Sequence, residues 1–247
     1  DRNLVLAMNQ TQFHRGPDEG DVHLDAGVAL AHRRLSIIDL SSGQQPMFSA
    51  DGNLCIVYNG EVYNFKDLAV TLKNKGYQFR THCDTEVILY AWQEWGEKCV
   101  DHLRGMFAFA VYDRRAQSLF LARDRLGIKP LYYHFREGNL AFSSEIRGLL
   151  ASGLVPKRLN QEGLTDYLRY QTVHAPNTIL QDVQMLPPAH FMQIKAGELT
   201  IGRYWNAQDN RDKREWSSYE EVKKEVKNTF FQSVERRLIA DVPFGAF

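Results

Sequence analysis

The readable pattern of the chain begins with short strand-like runs separated by turn residues. Val22 to Leu24 and Val28 to Leu30 flank a turn at Asp25-Ala26-Gly27, and Leu54 to Tyr58 follows the turn signal Asp51-Gly52, which predicts antiparallel sheet. The period then changes from two to that of a helix. Asn64 is placed to cap a segment with apolar residues at Phe65, Leu68 and Leu72 that ends at Gly76. Asp84 or Thr85 is placed to cap a second, with Val87, Ile88, Ala91, Trp92 and Trp95 on one face; both segments read as amphipathic helices. A short helix is expected near Glu97 to Leu103, after which strands return at Met106 to Asp113, Ser118 to Ala122, Pro130 to Tyr133 and Leu140 to Ser143.

Further on, Gln161 to Tyr170 reads as a helix, and His190 to Ile194 with Glu198 to Tyr204 as a hairpin about Ala196-Gly197. Asn206 to Trp216 is polar and reads as a linker. Ser218 and Glu221 form a capping box ahead of Val222, Val226, Phe230 and Val234, four apart on one helical face. The order strands, helices, strands predicts a layered α+β sandwich rather than alternating βαβ units.

Composition narrows the class without naming it. The 247 residues are 44% hydrophobic and 24% charged, enough apolar material for a sizeable core and too much for a disordered chain. Lys plus Arg balance Asp plus Glu at 30 each, so no net field draws the chain to nucleic acid or to an anionic membrane. Cys55, Cys83 and Cys99 are an odd, sparse set without CxxC spacing, which argues against a disulfide framework or a zinc site and for a reducing compartment. The longest purely apolar run, Met106 to Tyr112, is far shorter than a bilayer of about 30 Å requires. The expectation is a soluble, cytoplasmic protein.

Six motifs carry more. They are His14-Arg15-Gly16-Pro17-Asp18, the run His32 to Asp39, Tyr58-Asn59-Gly60-Glu61-Val62-Tyr63-Asn64, Asp84-Thr85-Glu86, the run Arg104 to Ala110, and the run Arg123 to Tyr132. In this order they resemble the class II glutamine amidotransferase domain of glutamine-hydrolysing asparagine synthetases. The resemblance implies a four-layer αββα N-terminal-nucleophile hydrolase sandwich of two antiparallel sheets over residues 1–205. It also implies a linker at 206–217 and, from 218 to 247, the first helix of an ATP-dependent synthetase domain.

The implied chemistry is hydrolysis of the glutamine side-chain amide to glutamate and ammonia by an N-terminal cysteine whose free amine serves as base. Ammonia would then aminate an ATP-activated aspartate, with Mg2+, in the synthetase domain. By the resemblance, Arg34 holds the glutamine carboxylate with the backbone of Ile37 and Ile38, since a guanidinium offers two charge-assisted bonds. Asn59 and Gly60 form the oxyanion hole, and Asp84 with Glu61 receives the substrate ammonium. Each assignment has a plainer competitor. Arg34 could pair with Asp39, Asn59-Gly60 is the strongest two-residue hairpin signal, and Asp84 stands where a helix cap belongs. The remaining motifs read as architecture: Gly16-Pro17 as turn chemistry with Arg15 near the site, Met106 to Phe109 as a buried strand, and Arg123-Asp124-Arg125 as a brace of ion pairs.

The nucleophile is not among these residues. Cys83 lacks an adjacent base and Cys55 reads as core. Asp1 in place of Met, and an end on Phe247 just before the family's ATP-binding loop, read as a chain trimmed at both ends. Three readings stay open: an asparagine synthetase, a related amidotransferase or cyclase with another carboxylate acceptor, and a glutaminase-like domain without catalytic activity. The resemblance alone suggests a homodimer.

Overall fold

The computed structural model describes residues 1–209, 214–243 and 245. Helix α1 (Arg2–Gln10) leads into a hairpin of β1 (Glu19–Asp25) and β2 (Val28–Arg34), paired from Asp25 opposite Val28 to Glu19 opposite Arg34. After β3 (Met47–Phe48), the long strand β4 (Leu54–Val62) is followed by α2 (Phe65–Asn74), α3 (Asp84–Trp95) and the short α4 (Cys99–His102). Strands β5 (Gly105–Asp113), β6 (Ser118–Arg123), β7 (Tyr132–Arg136) and β8 (Asn139–Ser143) come next, then α5 (Ile146–Ala151) and α6 (Gln161–Tyr170). The last elements are β9 (Gln184–Met185), β10 (His190–Lys195), β11 (Glu198–Arg203) and α7 (Tyr219–Glu235).

The strands form a six-stranded antiparallel sheet, ordered β11-β10-β6-β5-β4-β3, and a facing layer in two pieces, β1-β2 and β8-β7-β9. Alternation along the central strands assigns side chains to the two faces. Leu54, Ile56 and Tyr58 of β4 and Phe107, Phe109 and Val111 of β5 pack on α2, α3 and α4. Cys55 and Val57 with Ala108, Ala110 and Tyr112 face Leu30 of β2 and Tyr133 of β7 instead. A third cluster joins Ala141 of β8 to Leu149 of α5 and Met8 of α1. The result is the layered αββα sandwich followed by one further helix. On the face away from the helices, Ala108 and Ala110 of β5 and Ala29 and Ala31 of β2 leave room between β2 and β8.

Several local expectations shift. Strand β4 does not stop at Tyr58. Asn59 and Gly60 pair with Ala108 and Phe107 in mid-ladder, so the Asn-Gly pair is not a hairpin turn. Gly60 is required by close approach, since a Cβ there would lie 2.2 Å from the Met106 carbonyl oxygen. Helix α3 takes Cys83 as its N-cap, without a side-chain bond, and Asp84 is the first helical residue. Asp84 and Thr85 are drawn inward instead, because their side chains have better partners in the core. Asn64 caps α2 by position only; its amide accepts from Arg104 N–H at 2.9 Å and donates to the His102 carbonyl at 3.0 Å, tying the start of α2 to the end of α4.

The Arg123-Asp124-Arg125 brace is real but is not built of ion pairs. Arg123 donates to the carbonyls of Gly127, Lys129 and Leu186, and Arg125 to those of Leu103, Val100 and Asp101. Asp124 accepts from the backbone N–H of Phe107, Leu126, Ile128 and Lys129. Buried charges are satisfied here by the main chain of the loop that they shape.

Helix α7 opens as its capping box predicts, with Ser218 Oγ accepting from Glu221 N–H at 3.2 Å, although the Glu221 carboxylate returns to Ser217 rather than to Ser218. None of its described residues is buried, and Val226, Phe230, Phe231 and Val234 are all exposed. Residues 210–213 of the expected linker, and Phe244, Ala246 and Phe247 at the end, lie outside the described residues. No helix among the described residues is long and apolar enough to cross a membrane.

Candidate active site

The space left by the small residues is a cavity of about 670 Å³. Its walls include Ala29 and Ala31 of β2, Val57 of β4, Ala108 and Ala110 of β5, and Leu140 and Phe142 of β8. Every residue assigned a role from the sequence lines it: Arg34, Ile37, Ile38, Asn59, Gly60, Glu61 and Asp84. Four segments bring them there, namely the end of β2, the loop at residues 35–43, the second half of β4, and the first turn of α3.

Asn59 carries the clearest unmet chemistry. Its Nδ2 is inaccessible to solvent and has no hydrogen-bond partner, a costly state for a buried donor. A ligand oxygen in the cavity would remove that cost, and the N–H of Gly60 follows on the same strand.

Arg34 is buried and committed. Its Nη1 donates to the Glu19 carboxylate at 3.1 Å, and its Nη2 to the carbonyls of Ile38 at 3.0 Å and Asp39 at 2.6 Å. It therefore meets the Asp39 carbonyl rather than the Asp39 carboxylate, and a ligand carboxylate would share the guanidinium with Glu19. The Ile37 carbonyl accepts from Asp241 N–H at 2.9 Å.

Asp84 and Glu61 bring two carboxyls to the cavity wall. Asp84 Oδ2 accepts from Tyr58 Oη at 2.7 Å and from Val62 N–H at 3.0 Å. Burial nevertheless pushes its carboxyl above the usual range. Burial raises half-buried Glu61 as well, and the Asp84 charge adds to this while Lys129 opposes it. Two carboxyls that resist ionisation in one cavity favour a cation between them.

Sequence reasoning passed over three residues of the same walls. His32 donates from Nε2 to the Tyr58 carbonyl at 2.8 Å as the neutral tautomer, leaving Nδ1 buried without a partner. Desolvation, with Arg34 nearby, holds its pKa down at about 4. Lys129 lies in the cavity, its pKa lowered by burial and supported by Glu61. Tyr58 is the donor that holds Asp84. All three belong to the recognised motifs, so the signal was present but their side-chain directions were not. Arg15, expected near the site, lines the cavity and pairs with Glu145 at 3.2 Å, as does His14 at 2.9 Å.

The cysteines offer no nucleophile. Burial pushes the Cys55 thiol up to about 12 and raises those of Cys83 and Cys99, the opposite of activation. Cys83 lines the cavity, and its sulfur sits 3.1 Å from the Thr81 hydroxyl.

The inter-layer cavity of this two-sheet sandwich thus offers an orphan amide donor, a guanidinium and paired carboxyls. The chain belongs to the glutamine amidotransferase domain family, whose model matches residues 1–205. It is homologous to the N-terminal glutaminase domain of glutamine-hydrolysing asparagine synthetases. Asparagine synthetase (glutamine-hydrolysing) 3 of Bacillus subtilis (strain 168) is 38% identical over 251 residues, covering 100% of this chain and 40% of that protein. Asparagine synthetase 1 of the same organism is 36% identical, covering 99% and 38%. The chain thus spans about two fifths of the length of these relatives. Among solved structures, the glutamine phosphoribosylpyrophosphate amidotransferase from B. subtilis superposes with a TM-score of 0.57 at 18% identity, over 82% of this chain and 46% of that one. An allosteric regulatory enzyme of purine biosynthesis does so with a TM-score of 0.59 at 18% identity, with the same coverage. These two establish the fold.

Proposed function

We propose that these residues form the glutamine-binding and glutaminase unit of a glutamine-dependent asparagine synthetase. The unit binds glutamine by its two charged ends and stabilises the oxyanion that forms when a cysteine attacks the side-chain amide. The observation that carries this reading is the unpartnered, buried Nδ2 of Asn59 beside Gly60, in a cavity that also holds Arg34, Ile37, Ile38, Glu61 and Asp84. Glutamine has an anion, a cation and a polarisable carbonyl, and the cavity offers a partner for each. The thiolate and its amine are assigned to a cysteine upstream of Asp1, because burial disarms the cysteines in hand.

We assign the synthetase half of the reaction to the segment after the linker at 206–217, which begins at 218 with the cap of α7. The first turns of α2, α3, α6 and α7 carry Asp67, Asp84 with Glu86, Glu162, and Glu220 with Glu221, and carboxylates repel phosphate where those helices would otherwise attract it. ATP, Mg2+ and aspartate are assigned to the domain that α7 begins, because the chain spans only about two fifths of the asparagine synthetases it resembles, and the exposed apolar face of α7 suits that junction. The same assignment fits a cytoplasmic enzyme of amino-acid biosynthesis.

The test is steady-state kinetics of the intact protein. Arg34→Ala is expected to raise the glutamine KM by about 10- to 100-fold, the loss of a charge-assisted pair, while ammonia-dependent synthesis is spared. Equal loss of both activities would remove Arg34 from carboxylate binding. An intact protein that releases no glutamate from glutamine would refute the reading as a whole.

A further inference from the structure

The loop at residues 35–43 supplies Ile37 and Ile38 to the cavity and two carbonyls to Arg34, yet it has little core of its own. Leu35 and Leu40 are exposed, and Ile38 alone packs partly against the main cluster. Polar tethers hold it instead. Asp18 accepts from Ser36 N–H at 2.8 Å at its start. The Asp39 carboxylate accepts from Ser42 N–H at 3.0 Å and from His82 N–H at 2.8 Å, linking the loop to the approach to Asp84.

The third tether comes from the far end of the chain. Asp241 Oδ2 accepts from Asp39 N–H at 2.8 Å, and Asp241 N–H donates to the Ile37 carbonyl at 2.9 Å. This reciprocal pair spans 202 positions of sequence and lies beyond α7. Two neighbours seat the same segment: Ile239 packs against the main core, and the Arg237 guanidinium lies 4.9 Å from the centre of the Tyr63 ring, at the end of β4. Residues 237–241 therefore bridge the loop, through Asp241, and the residue that follows β4, through Arg237.

We propose that Asp241 is a positioning residue for the glutamine pocket: its carboxylate and amide hold residues 37–39 in the conformation that lets Arg34 and the Ile37–Ile38 backbone receive the substrate carboxylate. The inference rests on the glutamine reading above and adds a regulatory consequence. Because the tether belongs to the segment after α7, any event that displaces that segment changes glutamine affinity, and by reciprocity bound glutamine favours the docked segment.

The experiment measures glutamine hydrolysis by the intact protein for the wild type, Asp241→Ala and Asp241→Asn, with the exchange rate of the Asp39 amide. Asp241→Ala is expected to raise the glutamine KM about three- to tenfold, the worth of one part-buried hydrogen bond, with kcat within about twofold of wild type. The Asp39 amide should exchange faster. Asp241→Asn, which keeps a side-chain oxygen to accept from Asp39, should return both values close to wild type. A wild-type KM and unchanged Asp39 exchange in Asp241→Ala would overturn the proposal while leaving the glutamine reading intact. Parallel loss of kcat, KM and thermal stability, without rescue by Asp241→Asn, would reduce Asp241 to a structural role and overturn it as well. A wild-type protein that neither binds nor hydrolyses glutamine would overturn both readings.

Discussion

At the scale of single residues, the cavity is a set of unmet or barely met valences. Asn59 Nδ2 has no partner, His32 Nδ1 has none, and burial raises the pKa of the Asp84 and Glu61 carboxyls. Such groups destabilise a folded chain unless a ligand answers them. Arg34 differs, because its fork is already in use. The two kinds of group make different kinetic predictions. A donor that waits for an oxyanion acts chiefly on the transition state, so Asn59→Ala in the intact protein is expected to lower glutaminase kcat by about 10²- to 10³-fold with a small change in KM. Steady-state rates of glutamate release check this, and a change confined to KM would place Asn59 in ground-state binding. Asn59 also shows the limit of local reading: Asn-Gly favours a tight turn in isolation, and pairing with β5 overrides that preference.

At the scale of elements, two features deliver these residues to one place. The first is the ladder between β4 and β5, whose register sets large rings against the helices and alanines against the cavity. The second is the loop after β6, folded around Asp124. This carboxylate is almost fully buried and serves four backbone donors, among them Phe107 N–H of β5 and Lys129 N–H beside the cavity. Asp124→Ala would leave those donors unpaired, and the expected cost is about 3–5 kcal/mol, read as a lower denaturant midpoint. A loss below about 1 kcal/mol would show that solvent replaces the carboxylate at little cost. Motif composition marks Asp124 as important but suggests ion pairing, because sequence shows neighbouring charges and not the carbonyls that a folded loop turns toward them.

At the scale of the whole molecule, burial of titratable groups couples stability to pH. His32 has its pKa lowered from 6.5 to about 4, so between these values the unfolded chain binds more protons and stability falls as pH falls. The full effect is on the order of 3 kcal/mol. Asp84 and Glu61 work in the opposite sense, since a raised carboxyl pKa costs stability as pH rises above the usual carboxylate range. Urea unfolding from pH 7 to pH 4 should therefore show a slope that His32→Gln flattens, because the comparison cancels the carboxyls. An unchanged slope would mean that protonated His32 finds compensation in the cavity.

Much of this protein was legible in the amino-acid order alone. Most strands, the helix Gln161 to Tyr170 and the capped final helix follow from period and turn chemistry, which are local. The motif order carries the family, and all seven site residues assigned from it line one cavity. Helix α1 was not announced, because its apolar residues Leu4, Val5 and Met8 acquire meaning only against the cavity and α5. The partners of Arg34, Asp84 and Arg123 were likewise hidden, since each is satisfied by groups that are distant in sequence or belong to the backbone. Asp241 is the extreme case, meeting Asp39 across the whole chain. Covalent order determines which groups exist and which local shapes they prefer. Which donor faces which acceptor, and where space is left for a ligand, is decided only when the layers pack, because burial makes each polar group find a partner or remain open for one.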